Sequence, residues 1–279
     1  MKRRAINLCI MILVLAGSLL LVYPYVSFRL SSSRQSYVVQ QYNDSLKKMT
    51  AAQLKEEWEL SQAYNAALLS PPRYDPFASG SEAMDAAYLS RLHIGESGVM
   101  CYIKIPKINV ELPVFHGASP ETLEKGIGHL EGSALPVGGE GTHAVLTGHT
   151  GLNTAKMFTD LTELETGDEF YIYVLDQVLA YRIEQIQVVE PSQTEALQPE
   201  AGRDYVTLVT CTPYGVNSHR LLVRGERIEY TQEEIQEKIA TVATVISKET
   251  YLLCLGLAIL ILLLLIALIF KYVKRKRRR

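Results

Sequence analysis

Three residues in the second half of the sequence have side chains that could act together in covalent catalysis. Cys211 ends the strand-like run YVTLVTC, and a proline follows two residues later. His149 lies in TGHTG, where flanking glycines permit a tight turn and the close approach of a substrate. Arg220 lies at the start of the run HRLLVRG. A cysteine nucleophile needs a proton acceptor and donor and a cation for the oxyanion, so this set is typical of a cysteine enzyme.

Each of these residues taken alone also fits a structural role, as a buried thiol, a core histidine or a surface charge. His219, eight residues after Cys211, offers an alternative base, as in a papain-like peptidase. Papain-type enzymes, however, place the cysteine on a helix N-terminus and before the histidine, and here both features are reversed. A membrane-tethered adhesion domain without catalysis is a further alternative, which predicts that Cys211→Ala changes nothing.

The segment around these residues has the pattern of a β protein. Short runs rich in Val, Ile, Tyr and Leu are bounded by Gly, Pro or Asn. They predict strands at 99–105, 110–115, 143–147, 169–175, 178–189, 205–211 and 220–230. Short helical connections are expected at 121–125 and 155–161. Seven or eight strands in about 130 residues favour a closed or nearly closed β-barrel, with the three reactive residues at strand ends on one rim.

The residues before the predicted barrel have a helical pattern instead. The stretch 36–69 contains no Gly or Pro and carries apolar residues near helical spacing, which predicts one or two helices. Ser70-Pro71-Pro72 ends them, 73–81 (RYDPFASGS) is a predicted loop, and a further helical patch is expected near 81–92.

Charge and hydropathy are strongly polarised along the 279 residues. The net charge is -2, but ten of the 28 basic residues lie at the two ends, so the middle carries 18 minus 30, or -12. The apolar runs 5–23 and 252–270 would each span about 28 Å as helices, enough to cross a bilayer. A cleaved signal is the alternative for the first run. Positive flanks stay cytoplasmic, so we expect two crossings, both termini inside and the acidic middle exported.

Composition narrows the set of ligands and partners. The weak net charge gives no reason to expect a nucleic-acid partner. His, Asp and Glu do not fall at metal-ligand spacings, so no metal and no cofactor is expected. Of the four cysteines, Cys9 and Cys254 lie in the apolar runs, and Cys101 lies in a predicted strand and is expected to have no chemical role. A disulfide between Cys101 and Cys211 is an alternative in an oxidising compartment.

The order His149, Cys211, Arg220, with TLVTC before the thiol and HRLLVRG after it, closely resembles the sortase family. The resemblance covers 98–230 and includes IPKINVELPVFHG, GHLEGSALPVGGEGTHAVLTGHTG and AKMFTDL. The resemblance implies Cys211 as the nucleophile, His149 as the general acid and base, and Arg220 as the group that stabilises the oxyanion or the substrate carbonyls. It also implies a sortase-type closed β-barrel of about eight strands with N-terminal helices, flanked by two transmembrane helices.

Within that family the chain is most similar to class C, the pilin-polymerising enzymes of Gram-positive bacteria. The similarity rests on the second apolar segment, the CTPYGVNSHR loop and the upstream tripeptide DPF. The resemblance implies that DPF is a lid, with Asp75 facing the catalytic arginine, Pro76 between, and Phe77 covering the thiol. An ordinary turn is the alternative for Asp75-Pro76.

The resemblance implies a reaction as well. An LPxTG-like sorting signal is cleaved between Thr and Gly through a thioacyl-enzyme, and a lysine of a second pilin subunit resolves it. The alternatives are anchoring of surface proteins to cell-wall peptide and a Cys-His peptidase.

The expected layout is a basic start and signal anchor (1–28), a helical linker (29–97) with the lid loop (73–81), the catalytic barrel (98–230), a juxtamembrane helix (231–251), a second transmembrane helix (252–270) and a basic cytoplasmic tail (271–279).

Overall fold

Eight strands form a closed barrel in the computed structural model, which describes residues 30–68, 84–152, 155–231 and 233–235 and isolated residues before them. The strands, in chain order, are β1 Val99–Ile105, β2 Val110–His116, β3 Ile127–His129, β4 Thr142–Thr147, β5 Glu169–Val174, β6 Gln177–Val189, β7 Asp204–Thr212 and β8 His219–Ile228. The seven predicted strands are confirmed: the first has the predicted ends, and the ends of the others differ by at most two residues. The short β3 completes the barrel.

The order of the strands around the barrel is β1-β2-β3-β4-β7-β8-β6-β5, and β5 pairs with β1 to close it. The pairs β2–β3 and β4–β7 are parallel and the other pairs are antiparallel. The sequence order therefore does not predict the neighbours: β4 lies beside β7, although two strands separate them in the chain. This crossover brings the end of β4 next to the end of β7.

Within the residues that the structure describes, four α-helices precede or interrupt the strands: α1 (residues 30–46), α2 Ala51–Ala67, α3 Ala86–Ser90 and α4 Pro120–Lys125. Thr50 and Gln53 form a capping box at the start of α2, which explains why the 36–69 pattern gives two helices and not one. The predicted helix at 155–161 is wrong. Met157 has a φ of 42°, outside the right-handed helical region, and the structure has a 3₁₀ turn at Thr159–Glu163.

The N-terminal helices are attached to the barrel by specific hydrogen bonds. Tyr42 of α1 is fully buried, and its hydroxyl accepts from the Leu175 backbone N–H (2.8 Å) and donates to the Met100 carbonyl (3.2 Å). Asn65 of α2 donates to the Leu135 carbonyl (3.1 Å) and accepts from the Leu135 N–H (2.7 Å). These contacts join segments far apart in the sequence and hold α1 and α2 against the barrel.

Alternation along the central strands sends side chains to two different apolar clusters. Val206 and Leu208 of β7 belong to the large core inside the barrel. Val209 of β7 packs in a smaller cluster on the opposite face, with Leu130, Val145, Leu197 and Leu222. Leu197 lies in the β6–β7 connection, which therefore covers part of the outer face of β4, β7 and β8.

The chain divides into two units, Met1–Glu229 and Tyr230–Arg279. In the second unit, Thr231 and Glu234 form a capping box at the start of the helical turn at 233–235. No helix in the part of the chain that the structure describes has the length and apolar character needed to span a bilayer. The predicted membrane segments, and the predicted lid at Asp75, Pro76 and Phe77, lie outside the described residues except for a few positions in the first run.

Candidate active site

Two of the three predicted catalytic residues lie directly opposite each other on neighbouring strands. Cys211, near the end of β7, pairs with Arg220, near the start of β8, in an antiparallel ladder. Residues directly opposite in such a ladder project to the same face with Cβ atoms about 5 Å apart. Cys211 follows Val209 by two residues in β7, so the two side chains project to the same face of the strand. The Cys211 thiol is therefore on the outer face, above the smaller apolar cluster.

His149 reaches the same level from the other side of β7. The parallel ladder between β4 and β7 ends with the pair Thr147 and Val209, and two hydrogen bonds continue it. The Gly148 N–H donates to the Val209 carbonyl (3.0 Å), and the Thr210 hydroxyl donates to the Gly148 carbonyl (2.7 Å). His149 is the next residue, two positions past Thr147, as Cys211 is two positions past Val209. The topology thus brings the predicted acid and base to the strand end that carries the predicted nucleophile.

Gly148 is required at this junction because there is no room for a side chain. A Cβ at this position would be 2.6 Å from Ile127 Cδ1 and 2.8 Å from Phe158 Cδ2. The backbone after it is held as well, because the Phe158 N–H donates to the His149 carbonyl (3.0 Å). The glycine before the histidine therefore permits close packing of the turn on the barrel.

Arg220 is held by the loop that joins the two strands. Its side chain is largely buried, and Nη1 donates to the carbonyls of Asn217 (3.2 Å) and His219 (3.1 Å). Asn217 adopts a left-handed conformation (φ 59°), which asparagine tolerates better than most residues. These two carbonyls fix the guanidinium beside Cys211, where it can stabilise negative charge on a substrate oxygen.

The protonation of His149 follows from its surroundings. Partial burial lowers the pKa of His149 below its usual 6.5, and the negative charge of Glu124 on α4 opposes this effect. The lowered pKa favours the neutral form of the imidazole at pH 7. The neutral ring can accept a proton from a thiol or an amine and return it to a leaving group.

The alternative base suggested by the sequence is on the wrong face. His219 pairs with Thr212 and is adjacent to Arg220 in β8, so alternation sends its side chain away from the face that carries Cys211. Its ring is exposed, and Nδ1 lies 2.8 Å from the Ser218 hydroxyl. The structure therefore does not place His219 where it could act as the base for Cys211, as the papain-like alternative requires.

The two cysteines of the described residues differ in their environments. Both are free, so the alternative disulfide is not formed in this structure. Cys101 is fully buried in β1, and burial raises the pKa of its thiol far above the ordinary value. Cys211 is partly exposed. Within the described ranges, no group of three His, Cys, Asp or Glu residues is placed to bind a metal ion.

Some contributions to the site are not apparent in the sequence. They are the Thr210 hydroxyl bonded to the Gly148 carbonyl, the loop carbonyls at Arg220, and the ring of Tyr214 against Gly151. Only the glycines and Asn217 give a sequence signal, because these residue types are typical of left-handed turns.

Comparison with known proteins agrees with this geometry. A family model described as the Sortase domain matches residues 103–228. Sortase A of Bacillus anthracis is 28% identical over 151 residues, which cover 54% of this chain and 70% of that protein. Sortase D of Bacillus subtilis (strain 168) is 31% identical over 129 residues; the match spans 62% of that protein's length and 45% of this chain.

Solved structures of sortase C enzymes are similar over more of the chain. Sortase C-1 from Actinomyces oris is 50% identical, with a TM-score of 0.61 and coverage of 63% of this chain and 99% of that one. Sortase C of Streptococcus pneumoniae is 47% identical (TM-score 0.65; 70% and 98%), and sortase C1 of Streptococcus agalactiae is 42% identical (TM-score 0.66; 72% and 99%). The matched domain, and these class C neighbours covered almost in full, show that the chain belongs to the sortase family of cysteine transpeptidases.

Proposed function

We propose that this enzyme cleaves an LPxTG-like sorting signal between Thr and Gly and joins the product to a lysine of another pilin subunit. The observation that carries the proposal is the placement of Cys211 between His149 and Arg220 at one end of three neighbouring strands. The similarity to class C structures supports the choice of substrate, because the structure of the Streptococcus pneumoniae neighbour is described in terms of pilin substrate specificity.

The first half of the proposed reaction forms a thioester. The neutral His149 ring takes the proton of the Cys211 thiol, and Sγ, now the thiolate, attacks the carbonyl carbon of the threonine, whose oxygen gains negative charge beside the Arg220 guanidinium. The intermediate then breaks its C–N bond, and the imidazolium of His149 gives its proton to the departing glycine amine. The products are the thioacyl-enzyme and a free amino terminus.

The second half exchanges the sulfur for an amine. A neutral lysine Nζ attacks the thioester carbonyl, His149 takes the excess proton from nitrogen, and the Cys211 thiolate leaves. One amide bond replaces another, so no ATP is needed. The outcome depends on the nucleophile: water would give hydrolysis, and a wall-peptide amine would give anchoring to the wall.

We propose a membrane location for this reaction. The apolar runs 5–23 and 252–270 would cross the cell membrane, with both basic termini in the cytoplasm and the barrel outside. Pilin substrates would then reach the site at the outer surface. This location can be tested by cysteine labelling of intact cells that produce a variant of the full chain in which the native cysteines are replaced. A thiol introduced at Tyr37 should react with an impermeant reagent, and one at Tyr272 only after permeabilisation.

We further propose that Asp75, Pro76 and Phe77 form a lid, in which Asp75 faces Arg220 and Phe77 covers the Cys211 thiol. The described residues on either side of this segment are attached to the barrel: Asn65 bonds to Leu135, and the Tyr88 hydroxyl accepts from the Gly117 N–H (3.0 Å). An aromatic cover would block access and disfavour the thiolate by desolvation.

Phe77→Ala should therefore increase the rate at which iodoacetamide alkylates Cys211. Measured from pH 6 to 9, the increase should be largest where the wild-type thiol is mostly protonated. An alkylation rate that does not change with this substitution at any pH would contradict the effect on ionisation.

The central experiment is intact-mass spectrometry of the purified full-length chain mixed with an LPxTG-bearing pilin and a lysine-bearing acceptor. We expect a thioacyl adduct on Cys211 that converts to a lysine-linked product, and no adduct in Cys211→Ala. His149→Gln should lose the product, whereas His219→Gln, which changes an exposed histidine on the other face, should retain it. An adduct resolved only by water or only by wall-peptide amines would contradict pilin polymerisation.

A further inference from the structure

The β7–β8 loop (residues 213–218) contains an exposed aromatic residue in contact with the turn that carries the catalytic histidine. Tyr214 is 67% exposed, an unusual environment for a large aromatic side chain with an apolar face. Its ring lies against Gly151: a Cβ built on this glycine would be 3.1 Å from Tyr214 Cε2, 3.3 Å from Cζ and 3.5 Å from Cδ2. The ring therefore lies over the glycine backbone, in a space that a side chain would occupy.

Gly151 is suited to this contact for two separate reasons. Its φ of 73° is in the left-handed region, which glycine adopts without steric cost. Its missing side chain leaves room for the phenol ring. Gly151 is two residues after His149, and its N–H donates to the Thr159 hydroxyl (3.0 Å). The turn is thus held at Thr159 on one side and covered by Tyr214 on the other.

The loop that presents Tyr214 is itself compact. The N–H groups of Val216 and Asn217 both donate to the Pro213 carbonyl (3.1 and 2.9 Å). The same loop holds the guanidinium of Arg220 through the Asn217 carbonyl (3.2 Å). One short loop therefore begins next to the nucleophile, fixes the arginine and contacts the turn of the histidine.

We propose that Tyr214 is a positioning residue for the transpeptidation reaction, and this inference rests on the proposed function. The face of its ring holds residues 149–151 against the β7–β8 loop, which keeps the His149 imidazole at the level of the Cys211 thiol. Proton transfer depends steeply on this placement, because a displacement of about 1 Å can reduce a rate about a hundredfold. The contact uses the ring face, so the hydroxyl of Tyr214 is not required.

Steady-state kinetics of three full-length variants tests this role. Tyr214→Ala should reduce kcat by about ten- to a hundredfold with KM within about twofold of wild type. Tyr214→Phe should restore kcat to within about twofold of wild type. Val216→Ala is the matched control, because Val216 is 69% exposed in the same loop, and its activity should remain that of wild type. An unchanged kcat in Tyr214→Ala would overturn the proposal, as would a raised KM at unchanged kcat or a loss in Tyr214→Phe equal to that in Tyr214→Ala.

A second measurement does not depend on activity, so it separates failure of this inference from failure of the proposed function. In the full-length chain labelled at its six histidines, the His149 ring resonances are assigned with His149→Gln and titrated by NMR. Tyr214→Ala should change the chemical shifts and the pKa of His149, and Tyr214→Phe and Val216→Ala should not. If wild type forms no thioacyl adduct but these shifts are observed, the reaction is wrong and the positioning contact stands. Unchanged His149 resonances in Tyr214→Ala would refute the positioning role.

Discussion

Lowering the pH from 8 to 5 should destabilise the barrel, and buried His143 should account for a measurable share of the loss. This histidine lies on the outer face of β4 beneath the β6–β7 connection. Its Nδ1 lies 3.0 Å from the Gln198 carbonyl and its Nε2 lies 2.7 Å from the Thr207 hydroxyl. A carbonyl only accepts, so Nδ1 carries the proton of the neutral ring and Nε2 accepts from Thr207.

Burial lowers the pKa of His143 from 6.5 to about 4. The unfolded chain therefore binds a proton more readily than the folded chain, and stability increases with pH between these two values. The contribution of His143 is complete above pH 6.5 and is lost as the pH falls toward 4. At pH 5, proton binding to this histidine favours the unfolded chain over the folded chain by a factor of about 30. This factor corresponds to a loss of about 2 kcal/mol in the free energy of unfolding.

A second histidine behaves in the same way. Burial lowers the pKa of His129 from 6.5 to about 4, and its ring donates from Nε2 to the Ala134 carbonyl (2.8 Å) and contacts the Tyr88 hydroxyl through Nδ1 (2.9 Å). The two rings together should remove about 4 kcal/mol of stability between pH 8 and pH 5, a large share of the stability of an ordinary domain.

Urea unfolding at pH 5, 6, 7 and 8 measures this dependence, followed by fluorescence of Trp58, the single tryptophan, which packs against the core. His143→Asn should be less stable than wild type at pH 8. The shorter side chain makes poorer hydrogen bonds with the Gln198 carbonyl and the Thr207 hydroxyl than the imidazole does. Its further loss between pH 8 and pH 5 should be smaller than that of wild type by about 2 kcal/mol. Other titrating groups are common to both chains and cancel in this difference.

The control is His219→Asn, in which an exposed histidine is removed, and its pH dependence should equal that of wild type. The reasoning fails if His143→Asn retains the full wild-type loss between pH 8 and pH 5. It also fails if His219→Asn flattens the dependence as much as His143→Asn does.

Three further predictions concern the active site. Gly148→Ala should reduce kcat at least about tenfold, because the added methyl overlaps Phe158 and displaces the histidine turn; a variant with wild-type kinetics would contradict the packing argument. Arg220→Lys should reduce kcat/KM about tenfold or more in the peptide cleavage assay, since an ammonium cannot keep both loop carbonyls and also reach the oxyanion, and equal rates would show that charge alone suffices. Glu124→Gln should lower the pKa of His149 in an NMR titration, because the carboxylate charge raises it, and an increase in that pKa would refute this electrostatic account.

Local patterns along the chain predict much of this fold. Alternating β-branched and aromatic residues locate seven strands, because a strand half-buried against a core needs that pattern whatever its neighbours are. β3 is missed because Ile127-Gly128-His129 is too short to show alternation. The predicted helix at 155–161 fails because Met157 is held in a left-handed conformation, against the helical tendency of its segment.

The residue types of the predicted active site are likewise evident from the sequence, because a thiol, an imidazole and a guanidinium are the functional groups that covalent catalysis requires. Their mutual placement is a tertiary property. Only the β4–β7 crossover puts His149 beside Cys211, and only strand parity separates Arg220 from its neighbour His219. Tyr214 contacts Gly151, 63 positions earlier in the chain, through the face of its ring and the glycine backbone. Local composition does not predict this contact. Local sequence patterns thus indicate the candidate reactive groups and the segments that become strands, whereas packing across the barrel brings particular groups together.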